Sequence, residues 1–331
     1  MVFGTWYLNV TDIRKAALAA YLKSIYGESS LEALNGDASL RRYFRTPYGI
    51  AVDAPPTSQK NAEFVAIDKA LLKAAINVPE IYHYDLKNGF MVLEDLGDRS
   101  FFSALNEKTI KDLYLKACDI LPKLTQVDLP LPKFDSAFID MELGIFTEWM
   151  LDKTLNLKLS DKEQKYLDES FKYIKDVCLS SEQIPMHRDF HCRNLMLQDD
   201  SLYVIDFQDM VEGPLTYDLA SLVFDCYLNL SESLIEELLS HAFDNYKKIG
   251  FLKNTSFSEF KDTLKIVSFE RHLKVLGIFR RLYMRDGKSA YLKDLPRVFA
   301  YAKKESASDY RLSFLHDFLN KYLGDTDLCK L

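Results

Sequence analysis

The sequence predicts an α+β protein in which strands crowd the first third of the chain and helices fill most of the remainder. Three observations predict it. Short apolar runs alternate with turn residues between residues 31 and 97. From 100 to 180 the apolar positions recur at helical spacing, and later a strand, "SLYVIDF" (201–207), interrupts the helices. At 331 residues the chain is long for one core, so two lobes are expected. The first is a small β-rich N-lobe over 1–96 with one main helix, and the second a large, mostly helical C-lobe over 97–331, with a hinge in "VLEDLG", 92–97.

The first element reads as a helix beginning near Thr11 or Asp12, with Ala16, Ala17, Ala20 and Ile25 as apolar positions and Gly27 as its stop. In "LEALNGDASLRRYFRTPYGIAVDAPP", Gly36, Asp37 and Ser39 make a turn between strands that close at Pro55-Pro56. The stretch "NAEFVAIDKALLKAA", 61–75, is a helix capped by Asn61, with Phe64, Ile67, Leu71 and Ala75 on one side. Strands follow at "EIYHYDL" and "GFMVLEDLG". Beyond Gly97, "DLYLKACDILPKL", "MELGIFTEWMLDK" and "DKEQKYLDESFKYIKDVCL" read as helices, and Arg271, His272 and Lys274 open a later one.

Composition excludes several classes. Hydrophobic residues at 48% and charged residues at 27% describe an ordinary globular chain. A net charge of −7 lacks the cationic face that nucleic-acid binding requires. Five scattered cysteines with no C-x-x-C pair argue against a disulfide framework or zinc site, and for a reducing cytoplasm. No His–Cys logic surrounds Cys192, so it is not read as a nucleophile. The N-terminus is not a signal peptide, no run of ~20 apolar residues spans a membrane, and nothing marks an obligate protein partner.

The chemistry concentrates in "PMHRDFHCRNLMLQDDSLYVIDFQDMVEGPLTYDLASLVFD", 185–225. His187-Arg188-Asp189 followed by Asn194 has the H-R-D-x-x-x-x-N spacing of a protein-kinase catalytic loop. Phosphoryl transfer needs a base beside the acceptor hydroxyl and Mg²⁺ held by oxygen ligands across the phosphates. Asp189 fits the base and Asn194 a metal ligand. An apolar run, an Asp-Asp-Ser turn and a second apolar run then lead to Asp206, the second metal carboxylate. An isolated H-R-D is common, and most aspartates near turns only cap or solvate. The coincidence of all three parts is what carries the reading.

This stretch resembles the aminoglycoside phosphotransferase family, protein-kinase-like enzymes that phosphorylate small molecules. "GDASLRRYFR", "VDAPP", "NVPEIYHYDLKNGFMVLEDLG", "RHLKVLGIFRRLYMRDGKSAYL" and "DLPRVF" extend the resemblance over nearly the whole length, toward the bacterial anomeric sugar kinases. The resemblance implies a protein-kinase-like two-lobed fold, ATP and Mg²⁺ as cofactors, and an amino-sugar acceptor from cell-wall recycling. It makes Asp218 the brace of the catalytic loop, beside the plainer reading of a helix N-cap. His187 packs and hydrogen-bonds within the loop, and Glu94 and Leu96 offer backbone groups to adenine.

One departure stands out. The strand "GIAVDAPP" has Val52 and Asp53 where kinases carry a lysine for the α- and β-phosphates. Arg41 or Arg42 is expected to substitute, with Arg41 and Arg45 on one face of the strand and Arg42 on the other. His191, Arg271 and His272 are candidates for the acceptor, a cation there meeting a lactyl carboxylate. Trp149 is either a sugar-stacking ring or a core aromatic. An aminoglycoside or amino-alcohol kinase is the alternative, and it sits poorly with the cationic "RHLK…FRRLYMR". A nucleotide-binding pseudokinase is the other, and intact Asp189, Asn194 and Asp206 speak against it.

Overall fold

A computed structural model describes residues 3–34 and 41–330, with the backbone alone for residues 3–12. The chain forms two compact units. The smaller takes in residues 1–104, 127–129 and 195–208, and the larger takes in the remainder.

The smaller unit is built on a five-stranded sheet with strand order β1-β2-β3-β5-β4. Its strands are β1 (Glu32–Ala33), β2 (Arg42–Thr46), β3 (Gly49–Asp53), β4 (Ile81–Asp85) and β5 (Phe90–Leu93). Every pairing is antiparallel, and Phe44, Ala51 and Val92 lie abreast. Helix α1 (Phe3–Tyr26) covers that face, seating Leu18 and Leu22 on Phe44, Ala51, Phe90 and Val92. The helix thus starts earlier than Thr11. Its stop is as read, because Gly27 sits at φ +83°, where a side chain would be strained.

Helix α2 (Asn61–Lys73) follows β3. Asn61 is its first residue and not its cap: the Asn61 Nδ2 donates to the Ala54 carbonyl at 2.8 Å, tying the helix to the end of β3. The turn predicted at Gly36, Asp37 and Ser39 lies outside the described residues. The hairpin of β7 (Leu195–Gln198) and β8 (Ser201–Val204) also belongs to this unit. Asn77 holds it through Val204 N–H at 2.8 Å and through the Leu202 carbonyl at 3.1 Å.

In the larger unit, α4 (Ile110–Cys118) passes into a 3₁₀ segment at Pro122, and α5 (Ser136–Ile145) runs directly into a π-helix, Phe146–Asp152. Helix α6 (Asp161–Ser180) opens with a capping box of Ser160 and Glu163. Strands β6 (Gln183–Met186) and β9 (Val211–Pro214) pair antiparallel around the catalytic stretch, and α7 (Tyr217–Val223) follows. The core is organised on α9 (Phe257–Asp286), a 30-residue helix begun by the Ser256–Glu259 capping box and ended by Gly287. Arg271, His272 and Lys274 therefore lie at mid-helix and do not open it. Being buried on nearly all sides, α9 carries no strong apolar stripe, which hid its true start. Among the described residues no helix is long and apolar enough to cross a membrane.

Candidate active site

In the larger unit β6 delivers the chain to His187, where the backbone turns sharply. Arg188 adopts φ +76°, a left-handed conformation unusual for a residue with a side chain. Asp218, buried in the first turn of α7, secures the turn. Its Oδ2 accepts from the His187 N–H at 2.6 Å and its Oδ1 from the Arg188 N–H at 2.8 Å. Thr216, and not Asp218, occupies the cap position of α7. Beyond the turn, the Asp189 carbonyl accepts from the His191 N–H and from Asn194 Nδ2, each at 3.0 Å. That bond orients the Asn194 carboxamide, leaving its Oδ1 as the group it can offer a ligand. The buried His187 receives the Asp189 N–H on Nδ1 at 3.3 Å. Cys192 is buried, its thiol is pushed up by that burial, and its N–H is given to Asp225 at 2.9 Å.

Burial would raise the Asp189 carboxyl, but Lys274, His191, Arg188 and Arg271 overcome it and hold the group well below the usual carboxylate range. These cations are themselves fixed. The Arg188 fork rests on buried Glu142, and Lys274 Nζ donates to Tyr217 Oη at 2.6 Å and to Glu142 at 3.3 Å. Glu270, on the same helix as Lys274, has no hydrogen-bond partner among the described residues. Burial, with Glu142 adding to it, pushes the Glu270 carboxyl well above the usual carboxylate range. The sequence reading named Glu142 without giving it a partner and passed over Tyr217 and Glu270. No local signal links them, since Glu142 and Lys274 are 132 residues apart.

Arg271 and His272 are committed inside the protein. Arg271 Nη1 lies 3.3 Å from Cys226 Sγ. His272 places Nδ1 on Glu305 at 2.8 Å and Nε2 on the Phe224 carbonyl at 3.0 Å. Both partners are acceptors, so both ring nitrogens donate. Burial opposes that charge, and Glu305 outweighs it, raising His272 to about 9. His191 is buried edge-on to Tyr227, and its Nδ1 has no partner among the described residues.

The smaller unit holds the other predicted residues. Asp206 follows β8 in the left-handed region at φ +63°, exposed, with Oδ1 accepting from Gln208 Nε2 at 2.6 Å. Its neighbour Phe207 is buried against Phe64 of α2, ring centres 4.8 Å apart, which anchors the strained residue. Arg41 is buried over the same Phe64 ring at 4.4 Å, with Nε on Gln59 at 3.1 Å and Nη1 on Gln208 at 3.4 Å. Arg42 points the other way. With Arg14 it grips Asp53, Nε atoms at 2.9 and 2.7 Å, on the sheet face that α1 covers. Glu94 gives its N–H to the Glu80 carbonyl at 2.8 Å, so what it can offer a base is its own carbonyl, while Leu96 is buried close by in sequence.

An H-R-D-x-x-x-x-N loop followed by a metal-holding aspartate is the arrangement of the kinase-like phosphotransferases. Residues 30–252 match the phosphotransferase enzyme family, and the chain belongs to it. It is 36% identical over 278 residues to a protein of Pseudomonas putida named N-acetylmuramate/N-acetylglucosamine kinase, covering 82% of each chain. A protein of the same name from Neisseria meningitidis is 32% identical over 328 residues, covering 95% of this chain and 98% of the relative. Among solved structures, a choline/ethanolamine kinase family protein from Mesorhizobium loti shares the fold with a TM-score of 0.64 at 17% identity, covering 93% of this chain and 99% of that one. The ADP-bound aminoglycoside phosphotransferase APH(2'')-Ib does so at 0.59 and 12% identity, covering 88% and 98%.

Proposed function

We propose that the protein is an ATP-dependent sugar kinase that transfers the γ-phosphoryl group to the anomeric hydroxyl of N-acetylmuramate or N-acetylglucosamine. The observation that carries this is the agreement of its relatives' names over almost the entire chain with a complete H-R-D-x-x-x-x-N loop. The buried cations of α9 favour a neutral or acidic acceptor over the polycationic or quaternary-amine substrates of other kinase-like enzymes.

Asp189 is the base that orients the acceptor hydroxyl and takes its proton. Asn194 and Asp206 are the residues that would hold Mg²⁺. Among the described residues no cluster of three or more His, Cys, Asp or Glu could hold a metal. An amide oxygen and one exposed carboxylate nonetheless suit a hard cation that keeps phosphates and water among its ligands. When bound, the ion neutralises charge on the phosphates. Arg41 supplies the small unit's cation in place of the strand lysine, and Glu94 and Leu96 meet the base. Coupled ATP-consumption assays with N-acetylmuramate, N-acetylglucosamine, choline and kanamycin, with the phosphate position read by NMR, test the assignment. Anomeric phosphate on either amino sugar is expected, and turnover confined to choline or kanamycin, or absent with all four, overturns it.

A further inference from the structure

Arg281, near the end of α9, is a half-buried arginine of the larger unit with no acid of its own. Arg188 rests on Glu142, Arg271 on Cys226 and Arg297 on the Cys226 carbonyl. Arg281 makes no hydrogen bond or ion pair with any described residue, and its Nε is buried with nothing to donate to. The acids whose charge reaches it are already engaged, Glu148 with Lys153 and Asp286 with Arg285. A guanidinium keeps its proton in a protein. A half-buried one without a counter-ion therefore carries a desolvation cost that a bound anion would remove.

Its position says which anion. Arg281 lies seven residues beyond Lys274, two turns along the same face of α9 and about 10 Å along the axis. The charges of Lys274 and Arg271 reach the Asp189 carboxylate, so this face leads away from the catalytic loop, with half-buried Ile278 between. The π-helix 146–152 packs beside it. At Gly277 the two backbones come so close that a Cβ would sit 2.4 Å from the Ile145 carbonyl oxygen. Such π-turns recur where a helix shapes a ligand site.

N-acetylmuramate differs from N-acetylglucosamine by a lactyl ether on the C3 oxygen, hence by one carboxylate held away from the anomeric hydroxyl. We propose that Arg281 receives that carboxylate while the anomeric hydroxyl faces Asp189, so that Arg281 sets the preference for an acidic sugar. The planar fork of arginine suits a bidentate carboxylate contact. His272, held by Glu305 and the Phe224 carbonyl, is then not needed for it.

This subsite rests on the sugar-kinase assignment, and the test separates the two. The full-length Arg281→Gln variant is assayed with both sugars beside the unaltered protein, with Arg281→Lys and Arg193→Gln as comparisons. Arg281→Gln is expected to raise KM for N-acetylmuramate about 10- to 100-fold, the loss of one charge-assisted contact. Its kcat/KM for N-acetylglucosamine stays within about twofold, Arg281→Lys falls between, and its Tm holds or rises, since an uncompensated charge has been removed. Equal losses on both sugars, or none on either, overturn the subsite. So does a sugar-selective loss in Arg193→Gln alone, whose guanidinium lies 3.6 Å over Tyr227 beside the catalytic loop. If the unaltered protein phosphorylates neither sugar, the kinase assignment fails and the subsite with it.

Discussion

Arg41 and Arg42, adjacent in sequence, face opposite sides of the sheet: Arg42 is locked on Asp53 beneath α1, and Arg41 lies over Phe64 beside Gln208 and the Asp206 turn. Arg41 precedes the first residue of β2 and Arg42 is that residue, and their different partners separate their roles. Arg41→Ala is expected to raise KM for ATP and lower kcat, about 10- to 100-fold in kcat/KM, with the sugar KM nearly unchanged. Arg42→Ala is expected to lower Tm while leaving the kinetics of the folded fraction near normal. The reverse pattern in steady-state kinetics and thermal melts would refute the assignment.

Asp189→Asn retains the shape of the loop and loses the proton acceptor. A fall in kcat of roughly 10²- to 10⁴-fold is expected, with nucleotide affinity preserved in titration calorimetry. Asp206→Ala should instead abolish turnover and weaken Mg·ATP far more than adenosine; unchanged Mg·ATP affinity would remove Asp206 from the metal site.

Asp218 acts through the backbone it holds. Asp218→Asn leaves one carbonyl oxygen for two N–H groups, so one donor loses its acceptor at a cost of about 1–3 kcal/mol. The expected signature is a lower kcat with both KM values little changed, because the misplaced group is Asp189 and not a binding residue. A variant that loses only Tm would show that the clamp serves the fold alone.

Asp68 of α2 gives a pH dependence with a definite sign. It is almost wholly buried, its Oδ2 has no partner among the described residues, and burial, with Glu80 adding and Lys69 opposing, raises it to about 7. The folded state then holds the proton across a window, from the ordinary aspartate range up to about 7, in which the unfolded chain has released it. The stability from this group is complete below that window and lost as pH rises through it. Asp68→Asn should therefore stabilise the protein by ~2–4 kcal/mol near pH 8, and by almost nothing near pH 4. Equal Tm shifts at both pH values would count against a buried titrating carboxyl.

The sequence made some parts of this plain and concealed others. The β7–β8 hairpin was legible because two alternating runs flank an Asp-Asp-Ser turn, and the catalytic stretch because its spacing is set by chemistry. Clusters drawn from distant segments were not. Nothing near Asp53 announces Arg14, 39 residues away, and Glu142 reads as one more helix acid until Arg188 and Lys274 meet it. Helix α9 misled for a further reason. A helix enclosed on nearly every side buries Glu270, Arg271, His272 and Lys274 among its apolar residues, so polarity no longer marks the solvent face.

The membership of the small unit sets a timetable for its birth on the ribosome. Its sheet and α2 are complete by residue 104, yet the hairpin that bonds Asn77 and the Phe207 ring that covers Phe64 arrive only with residues 195–208. At ordinary synthesis rates roughly 5–20 s separate the two. For that interval a nascent sheet stands with one apolar flank open, a natural client for chaperones. Ribosome-bound chains stalled before residue 195 should be more open to protease around Phe64 than chains stalled well past 208.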